Sequence, residues 1–313
     1  MKIVITDAGF ANLDPETAVI TGAGMELASA QCRTAEDVIG AAADADGIIV
    51  QWAPLTADVI HSLDRCKVIV RYGIGVDNVD LAAARQKGIP VCNVPDYCVD
   101  EVADHTVAMA LAQARQLLQI DTRTRTGLWK IVPDKPMPAF SEMTFATAGY
   151  GRIARAVLDR AKAFGFRLAA YDPFVPPQGS QTAALSLDAL FRQADILSLH
   201  VPLSPTTRHL INADRLAQMK PTAILVNTAR GGLIDTVALA QALQAGTIAA
   251  ACVDVFESEP LEADHPLRKS PNTLLTSHVA WFSEVSVPKL QRLAAEEAVR
   301  GLKGEPLRNQ VNA

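Results

Sequence analysis

The apolar positions of this chain fall into short β-branched runs separated by stretches of helical period. The first runs cover residues 2–6, 47–51, 67–72 and 89–94. Between them, helix-like segments occupy 34–43, 56–63 and 81–87. Thr34 stands where a helix cap is needed, with Glu36 in the first turn, and Gly88 follows the third segment as a stop. Short runs alternating with helices predict a parallel sheet covered by helices.

Residues 100–118 predict a long helix. Asp100 can cap it, Glu101 suits the positive first turn, and Ala103, Val107, Ala110, Leu111 and Ala114 recur at helical spacing. Pro133, Pro136 and Pro138 then predict an irregular segment over 125–141. A second series of apolar runs follows at 143–148, 167–171, 195–201, 222–228, 249–256 and 272–276, and a last helix at 283–302. This second series is too long to share one sheet with the first, which places a domain junction near residue 100. A chain ending in a helix after the second series can cross back and make the first domain discontinuous.

The chain has 313 residues, and at roughly 100–200 residues per domain that also indicates two domains. Apolar residues make up 49% and charged residues 20%, a globular balance that excludes disorder and collagen-like architecture. A core of this size needs no disulfide or metal staple. The net charge of −5 gives no electrostatic footprint for nucleic acid or an anionic membrane. The longest uncharged stretch, 236–253, contains Gln241, Gln244 and Gly246, so it reads as helix, glycine stop and strand rather than a membrane span. Asp7 interrupts the N-terminal apolar run where an export signal would continue, so a cytoplasmic location is expected. The cysteines (Cys32, Cys66, Cys92, Cys98, Cys252) are odd in number and never spaced C-x-x-C. Buried free thiols in a reducing compartment, and no metal site, are the expectation.

Gly149-Tyr150-Gly151-Arg152-Ile153-Ala154 fits G-x-G-x-x-[GA] between a β-like run and a helix at 152–164. The first glycine permits a tight turn, the second lets a pyrophosphate approach the backbone, and the small third residue lets helix pack on strand. The helix N-terminus supplies amides to the phosphate. Asp172 ends the next strand, where an acid accepts hydrogen bonds from a ribose diol and repels a 2′-phosphate. The following Pro173-Phe174-Val175-Pro176 offers no arginine for that phosphate. The cofactor expected is NAD.

Three further runs end in polar residues: Asn227-Thr228-Ala229-Arg230, Asp254 through Glu259-Pro260, and Ser277-His278. In open α/β sheets the carboxyl ends of strands face the ligand crevice. Hydride transfer to a 2-oxo acid needs a cation for the carboxylate and carbonyl oxygen, and a proton donor for the developing alkoxide. Arg230 suits the first task through paired hydrogen bonds, and His278 the second as a group that titrates near neutrality. Glu259 is the candidate carboxylate that orients His278 and favours its imidazolium form. Each alone has a plain structural alternative: a surface ion pair, a turn carboxylate, a satisfied core histidine.

Together these motifs, with Arg71-Tyr72-Gly73-Ile74-Gly75-Val76-Asp77 and Ala194–Pro202, resemble the D-isomer-specific 2-hydroxyacid dehydrogenase family over nearly the whole chain. The resemblance implies two Rossmann-like α/β domains with parallel sheets: a discontinuous, flavodoxin-like substrate domain (1–100 and 284–313) and an NAD-binding domain (101–283). It implies Arg230, Glu259 and His278 as the catalytic set, and a Tyr72–Val76 loop whose amides meet the substrate carboxylate. It implies cofactor contacts at Val102, Gly149, Tyr150, Gly151, Arg152, Ile153, Asp172, His200, Val201, Pro202, Thr207, Thr228, Ala229, Arg230, Asp254 and His278, with Asp254 on the nicotinamide carboxamide. Domain closure and a homodimer built through the cofactor domain are implied as well.

Arg71 and the run His278-Val279-Ala280-Trp281 look like the C-terminal-binding-protein corepressors and their bacterial relatives. By that likeness Arg71 is a second carboxylate contact, and Trp281 walls a pocket for an apolar 2-oxo acid. The sequence departs from the family before the dinucleotide turn, where Phe140–Thr147 lacks the usual glycine. Glutamate at 259 speaks against formate dehydrogenases, and no regulatory domain of the phosphoglycerate dehydrogenase kind is expected. The expected activity is NADH-dependent reduction of a small 2-oxo acid to a D-2-hydroxy acid. The alternative is an NADH-sensing binding protein with little turnover.

Overall fold

The computed structural model describes every residue except 134, 135, 176, 179 and 180. Part of the irregular 125–141 segment and Pro176 of the stretch after Asp172 therefore lie outside the described residues. The chain divides into two compact units, Met1–Cys98 with Phe282–Ala313, and Val99–Trp281.

The first unit holds β1 (Lys2–Ile5), α1 (Asp14–Gly22), β2 (Glu26–Ser29), α2 (Ala35–Ala42), β3 (Gly47–Val50), α3 (Ala57–Ser62), β4 (Val68–Arg71), α4 (Leu81–Gln86) and β5 (Val91–Cys92). Its sheet runs β2-β1-β3-β4-β5, with every pair parallel. This is the flavodoxin-like order, whose direction reverses between β1 and β3. The central strands are apolar throughout because both faces are covered; all four residues of Gly47-Ile48-Ile49-Val50 are buried. Helix starts follow local chemistry. Thr34 accepts from the Asp37 amide while Asp37 reaches back to the Thr34 amide, a reciprocal cap. Gly88 takes the left-handed conformation after α4.

The helix Ser286–Leu302 returns to this unit and packs on α1, β3 and β4. At Gly301 a Cβ would stand 2.7 Å from Val68, so glycine lets helix and sheet approach there. Two elements, α1 and β2, had no apolar signature in the sequence. Strand β2 is an edge strand with no fully buried residue. Helix α1 buries only Glu16 and Ile20, so a carboxyl group occupies a core position. Tyr72 Oη donates to Glu16 Oε1 at 2.6 Å, and Gln291 Nε2 donates to Glu16 Oε2 at 3.0 Å. Burial pushes the Glu16 carboxyl above its ordinary range despite those bonds.

The second unit contains α5 (Val99–Ala114), α6 (Leu117–Arg125), β6 (Thr144–Ala148), α7 (Arg152–Ala163), β7 (Arg167–Tyr171), β8 (Thr182–Ala184) and α8 (Leu187–Gln193). It continues with β9 (Ile196–Leu199), α9 (Ala213–Leu216), β10 (Ile224–Asn227), α10 (Thr236–Ala245), β11 (Ala250–Val253) and β12 (Thr273–Leu275). The sheet order is β12-β11-β10-β9-β6-β7-β8, parallel throughout. Alternate strand residues serve opposite layers. Phe145, Ile196 and Ile224 pack with Val107, Ala110, Val157 and Leu158 of α5 and α7. Leu197, Leu225 and Ala251 pack with Leu190, Leu216, Leu239 and Leu243 on the other face.

The expected helix over 100–118 is corrected in two ways. It ends at Ala114, because Gln116 adopts a left-handed conformation (φ 52°) and starts α6, which buries no residue. Asp100 lies inside the first turn and accepts from Arg160 Nη2 at 2.9 Å rather than capping. The uncharged 236–253 stretch resolves into α10, Gly246 in the left-handed cap conformation, and β11. Among the described residues no helix is long and apolar enough to cross a membrane.

Candidate active site

Strand β6 delivers the chain to Gly149, whose φ of +97° favours glycine. A Cβ there would also stand 2.5 Å from the His200 carbonyl oxygen. The two strand ends are that close because the His200 amide donates to the Ala148 carbonyl at 2.7 Å. Gly151 then caps α7, and a Cβ on it would meet nothing within 4 Å. Protein packing therefore does not demand this glycine, and open space lies over its backbone. Ala154 is fully buried, as close helix–strand packing requires.

Asp172 closes the turn. Its Oδ2 accepts from the Tyr150 amide at 2.8 Å, and its Oδ1 from the Phe174 and Val175 amides, each at 2.9 Å. Burial works against its charge, but these three amides outweigh it and hold the carboxyl below the usual carboxylate range. Oδ1 is saturated by two donors; Oδ2 retains acceptor capacity. At the next strand end, the His200 ring bonds Ser198 Oγ through Nε2 at 2.8 Å, and burial pushes the imidazole down to about 3, so it is neutral at ordinary pH. Thr207 is spent on its own turn, donating to the Pro202 carbonyl at 2.7 Å and accepting from the Ser204 amide at 2.8 Å. Thr228 meets Thr106 at 2.7 Å, one turn along α5 from the buried Val102.

Strands β10, β11 and β12 are neighbours and parallel, so Arg230, Glu259 and His278 all leave the same end of the sheet. His278 Nδ1 lies 2.7 Å from Glu259 Oε2, and the Phe256 amide donates to Glu259 Oε1 at 2.8 Å. Burial pulls the Glu259 carboxyl up. Its bonds with His278 and Phe256, with the charges of His278 and Arg230, win and hold it below the usual range. Arg230 is half-buried and its Nη1 donates to the Ala229 carbonyl at 2.7 Å. The turn beneath it is set by Asn227, which accepts from the Ala229 amide and donates to the Arg230 carbonyl.

His278 itself has φ 56°, a conformation that few non-glycine residues adopt. What holds it there is Asp254, fully buried at the end of β11. The Asp254 carboxylate accepts from Thr276 Oγ1 (2.5 Å), the Val279 amide (3.0 Å) and the Ala280 amide (3.1 Å), while its carbonyl accepts from the His278 amide (2.7 Å). The carboxylate thus ties the end of β11 to the loop that follows β12. Trp281 Nε1 donates to the His278 carbonyl at 2.9 Å, so the indole braces the same turn.

Within the first unit, β4 leads into the Arg71–Gly75 loop. A Cβ on Gly73 (φ +131°) would stand on the Arg71 guanidinium, so glycine is what lets that side chain fold over its own loop. The Tyr72 amide is not open to a ligand, contrary to expectation: it donates to the Val50 carbonyl at 2.8 Å, and its side chain is buried on Glu16.

Residues 107–280 match the family of D-isomer-specific 2-hydroxyacid dehydrogenases, NAD binding domain. The chain belongs to the D-isomer-specific 2-hydroxyacid dehydrogenase family. Among relatives of this dehydrogenase-family chain, the D-3-phosphoglycerate dehydrogenase of Methanocaldococcus jannaschii is 38% identical over all of this chain and 59% of its own length. The glyoxylate reductase of Thermofilum pendens is 39% identical over 80% of this chain and 76% of its own. In structure it resembles a D-lactate dehydrogenase from Aquifex aeolicus complexed with NAD and lactic acid: TM-score 0.87, 26% identity, 97% of this chain and 96% of that one. The chain spans little more than half the length of the phosphoglycerate dehydrogenases it matches, 59% and 55%.

The cofactor of the family member is NAD, and the described residues fit it. The glycine turn leaves room over Gly151, α7 presents its N-terminus there, and an ionised Asp172 stands at the end of β7. Among the described residues no cluster suited to a metal ion occurs.

A polar chain beside the site had no sequence signal. Glu257 Oε1 lies 2.6 Å from His209 Nε2, and Glu257 Oε2 accepts from Thr236 Oγ1 at 2.8 Å, which in turn meets His265 Nε2 at 3.2 Å. His209 also donates its amide to the Gly232 carbonyl at 2.9 Å. These residues anchor the turn that carries Glu259 to the turn that carries Arg230. The contact is tight: a Cβ on Gly231 would stand 1.9 Å from the Phe256 peptide. The partners lie 48 residues apart in sequence, and only the sheet order makes them neighbours.

Proposed function

We propose that this chain is an NAD-dependent dehydrogenase that reduces a small 2-oxo acid to a D-2-hydroxy acid. The observation that carries the reading is the His278 Nδ1–Glu259 Oε2 contact of 2.7 Å at the end of the sheet that also bears Arg230. With Nδ1 committed to Glu259, Nε2 of the protonated ring is the proton donor for the developing alkoxide. Glu259 stays ionised and orients the ring. Arg230 binds the substrate carboxylate and polarises the carbonyl. Bound nicotinamide supplies the hydride. Asp254 and Trp281 hold the His278 turn in place.

The reading predicts NADH oxidation at 340 nm when the chain is offered a panel of 2-oxo acids. Silence across the panel, with NADH still bound, overturns it in favour of an NADH sensor.

We also propose a homodimer formed through the second unit. Supporting this, Leu117, Leu118, Leu128, Trp129, Ile131 and Val132 are exposed, with Trp129 at 83% and Ile131 at 88%, an apolar surface that a monomer rarely shows. Light scattering should give twice the chain mass for the wild type and the single-chain mass for W129S/I131S. A monomeric wild type sinks the proposal.

A further inference from the structure

Helix α5 is fastened to the sheet of the second unit along its length. Thr106 Oγ1 donates to the Val102 carbonyl at 2.7 Å, so in its 2.7 Å bond with Thr228, just past β10, Thr228 is the donor. One turn further, the Met109 carbonyl accepts from Cys252 Sγ of β11 at 3.4 Å. One turn beyond that, Gln113 Nε2 donates to the Asn272 carbonyl ahead of β12 at 2.6 Å. Thr106 and Cys252 are fully buried, so these bonds fix the helix against three adjacent strands.

His105, the residue before Thr106, takes no part in the chemistry assigned above. Its Nε2 lies 3.2 Å from Thr276 Oγ1 and 3.8 Å from Asp254 Oδ1. Thr276 Oγ1 gives its single proton to Asp254 Oδ1. Toward the ring it is therefore an acceptor, and His105 carries a proton on Nε2. The Asp254 carboxylate is fully buried, and its other donors, the Val279 and Ala280 amides, are neutral. Among the described residues, the basic group within 4 Å of that carboxylate is the His105 ring, 26% exposed. A buried carboxylate gains from a basic neighbour as well as from hydrogen-bond donors, and His105 supplies both from a helix already locked to the sheet.

We propose that His105 is a positioning residue for the proton transfer. Its Nε2–H pins Thr276, Thr276 pins the Asp254 carboxylate, and that carboxylate holds the amides of the left-handed turn that aims His278. Displacing a reacting group by about 1 Å costs about 10²-fold in rate. Every link in this line is one side-chain bond, with nothing to take up slack. Arg230 lies outside the line, on a turn shaped by Asn227, so substrate binding is left to act separately. All of these residues belong to the second unit. The inference rests on the dehydrogenase reading above.

The test is steady-state reduction of glyoxylate, pyruvate, hydroxypyruvate and phenylpyruvate by the wild type, H105F, H105Q, T276V and the double variant H105F/T276V. NADH binding by fluorescence and thermal unfolding are measured alongside. Phenylalanine keeps a ring at 105 without the donor; glutamine keeps an N–H donor at about the reach of Nε2. H105F should lower kcat by about 10–100-fold while KM for the 2-oxo acid moves less than about threefold. H105Q should recover most of the loss. In the T276V background, H105F should cost less than about twofold more, because the link it acts through is already gone. A kcat in H105F within about twofold of wild type, no recovery in H105Q, or losses in H105F and T276V that multiply in the double variant each overturn the inference while leaving a dehydrogenase. So does a fall in kcat matched by a fall in NADH affinity and unfolding midpoint, which marks a purely structural role. No turnover of any acid by the wild type, with NADH bound, overturns the dehydrogenase reading, and the inference falls with it.

Discussion

Replacing His278 by glutamine lowers kcat for 2-oxo acid reduction by about 10²–10⁴-fold, the range a positioned general acid contributes. Glutamine keeps an amide that reaches toward Glu259 but cannot deliver a proton to an alkoxide. NADH affinity and the unfolding midpoint should change little, because the turn around residue 278 is held by Asp254 and Trp281 and not by the imidazole. A variant with near-normal kcat removes His278 from the chemistry. The pH dependence carries a further check. Because Glu259 lies below the ordinary carboxylate range, its bond to His278 is fully present above the ordinary carboxylate pKa. It is lost only as pH falls through the lowered value. Loss of activity on the acid side from Glu259 should therefore appear below about pH 4, the usual carboxylate value. A loss centred near neutrality on the acid side, abolished in E259Q, would contradict that.

Arg230→Ala is expected to lower kcat/KM by about 10²–10³-fold, the scale for removing one charged donor from a developing oxyanion. Both KM and kcat should move, since the same guanidinium binds the carboxylate in the ground state and polarises the carbonyl in the transition state. R230K should recover little: an ammonium keeps the charge but not the two parallel donors. The Asn227 bonds that shape the turn involve backbone groups of 229 and 230, so the alanine variant should still fold, as circular dichroism would show. Normal steady-state rates in R230A would refute the assignment.

The buried strands were legible because both faces of a parallel sheet are covered, leaving continuous apolar runs such as Ile224-Leu225-Val226. The glycine turn and Asp172 were legible because backbone approach and ribose recognition demand particular residues at fixed spacing. Edge strands β2 and β8 were not, since one-sided burial of Glu26–Ser29 and Thr182–Ala184 leaves no such run. Helix α1 was missed because Glu16 fills a position where an apolar residue is expected, and its partners Tyr72 and Gln291 are distant in the chain. The break at Gln116 carries neither glycine nor proline to announce it.

By itself, the sequence determined the alternation of strand and helix, the dinucleotide turn and the polar residues at strand ends, because each is a local demand on residue type. Only the tertiary structure decided that Asp254 is spent holding His278 in a left-handed turn, and that His209 clasps Glu257. Each depends on which strands become neighbours, and that order follows from burying two faces of a sheet at once, a property of the whole chain that no short stretch encodes.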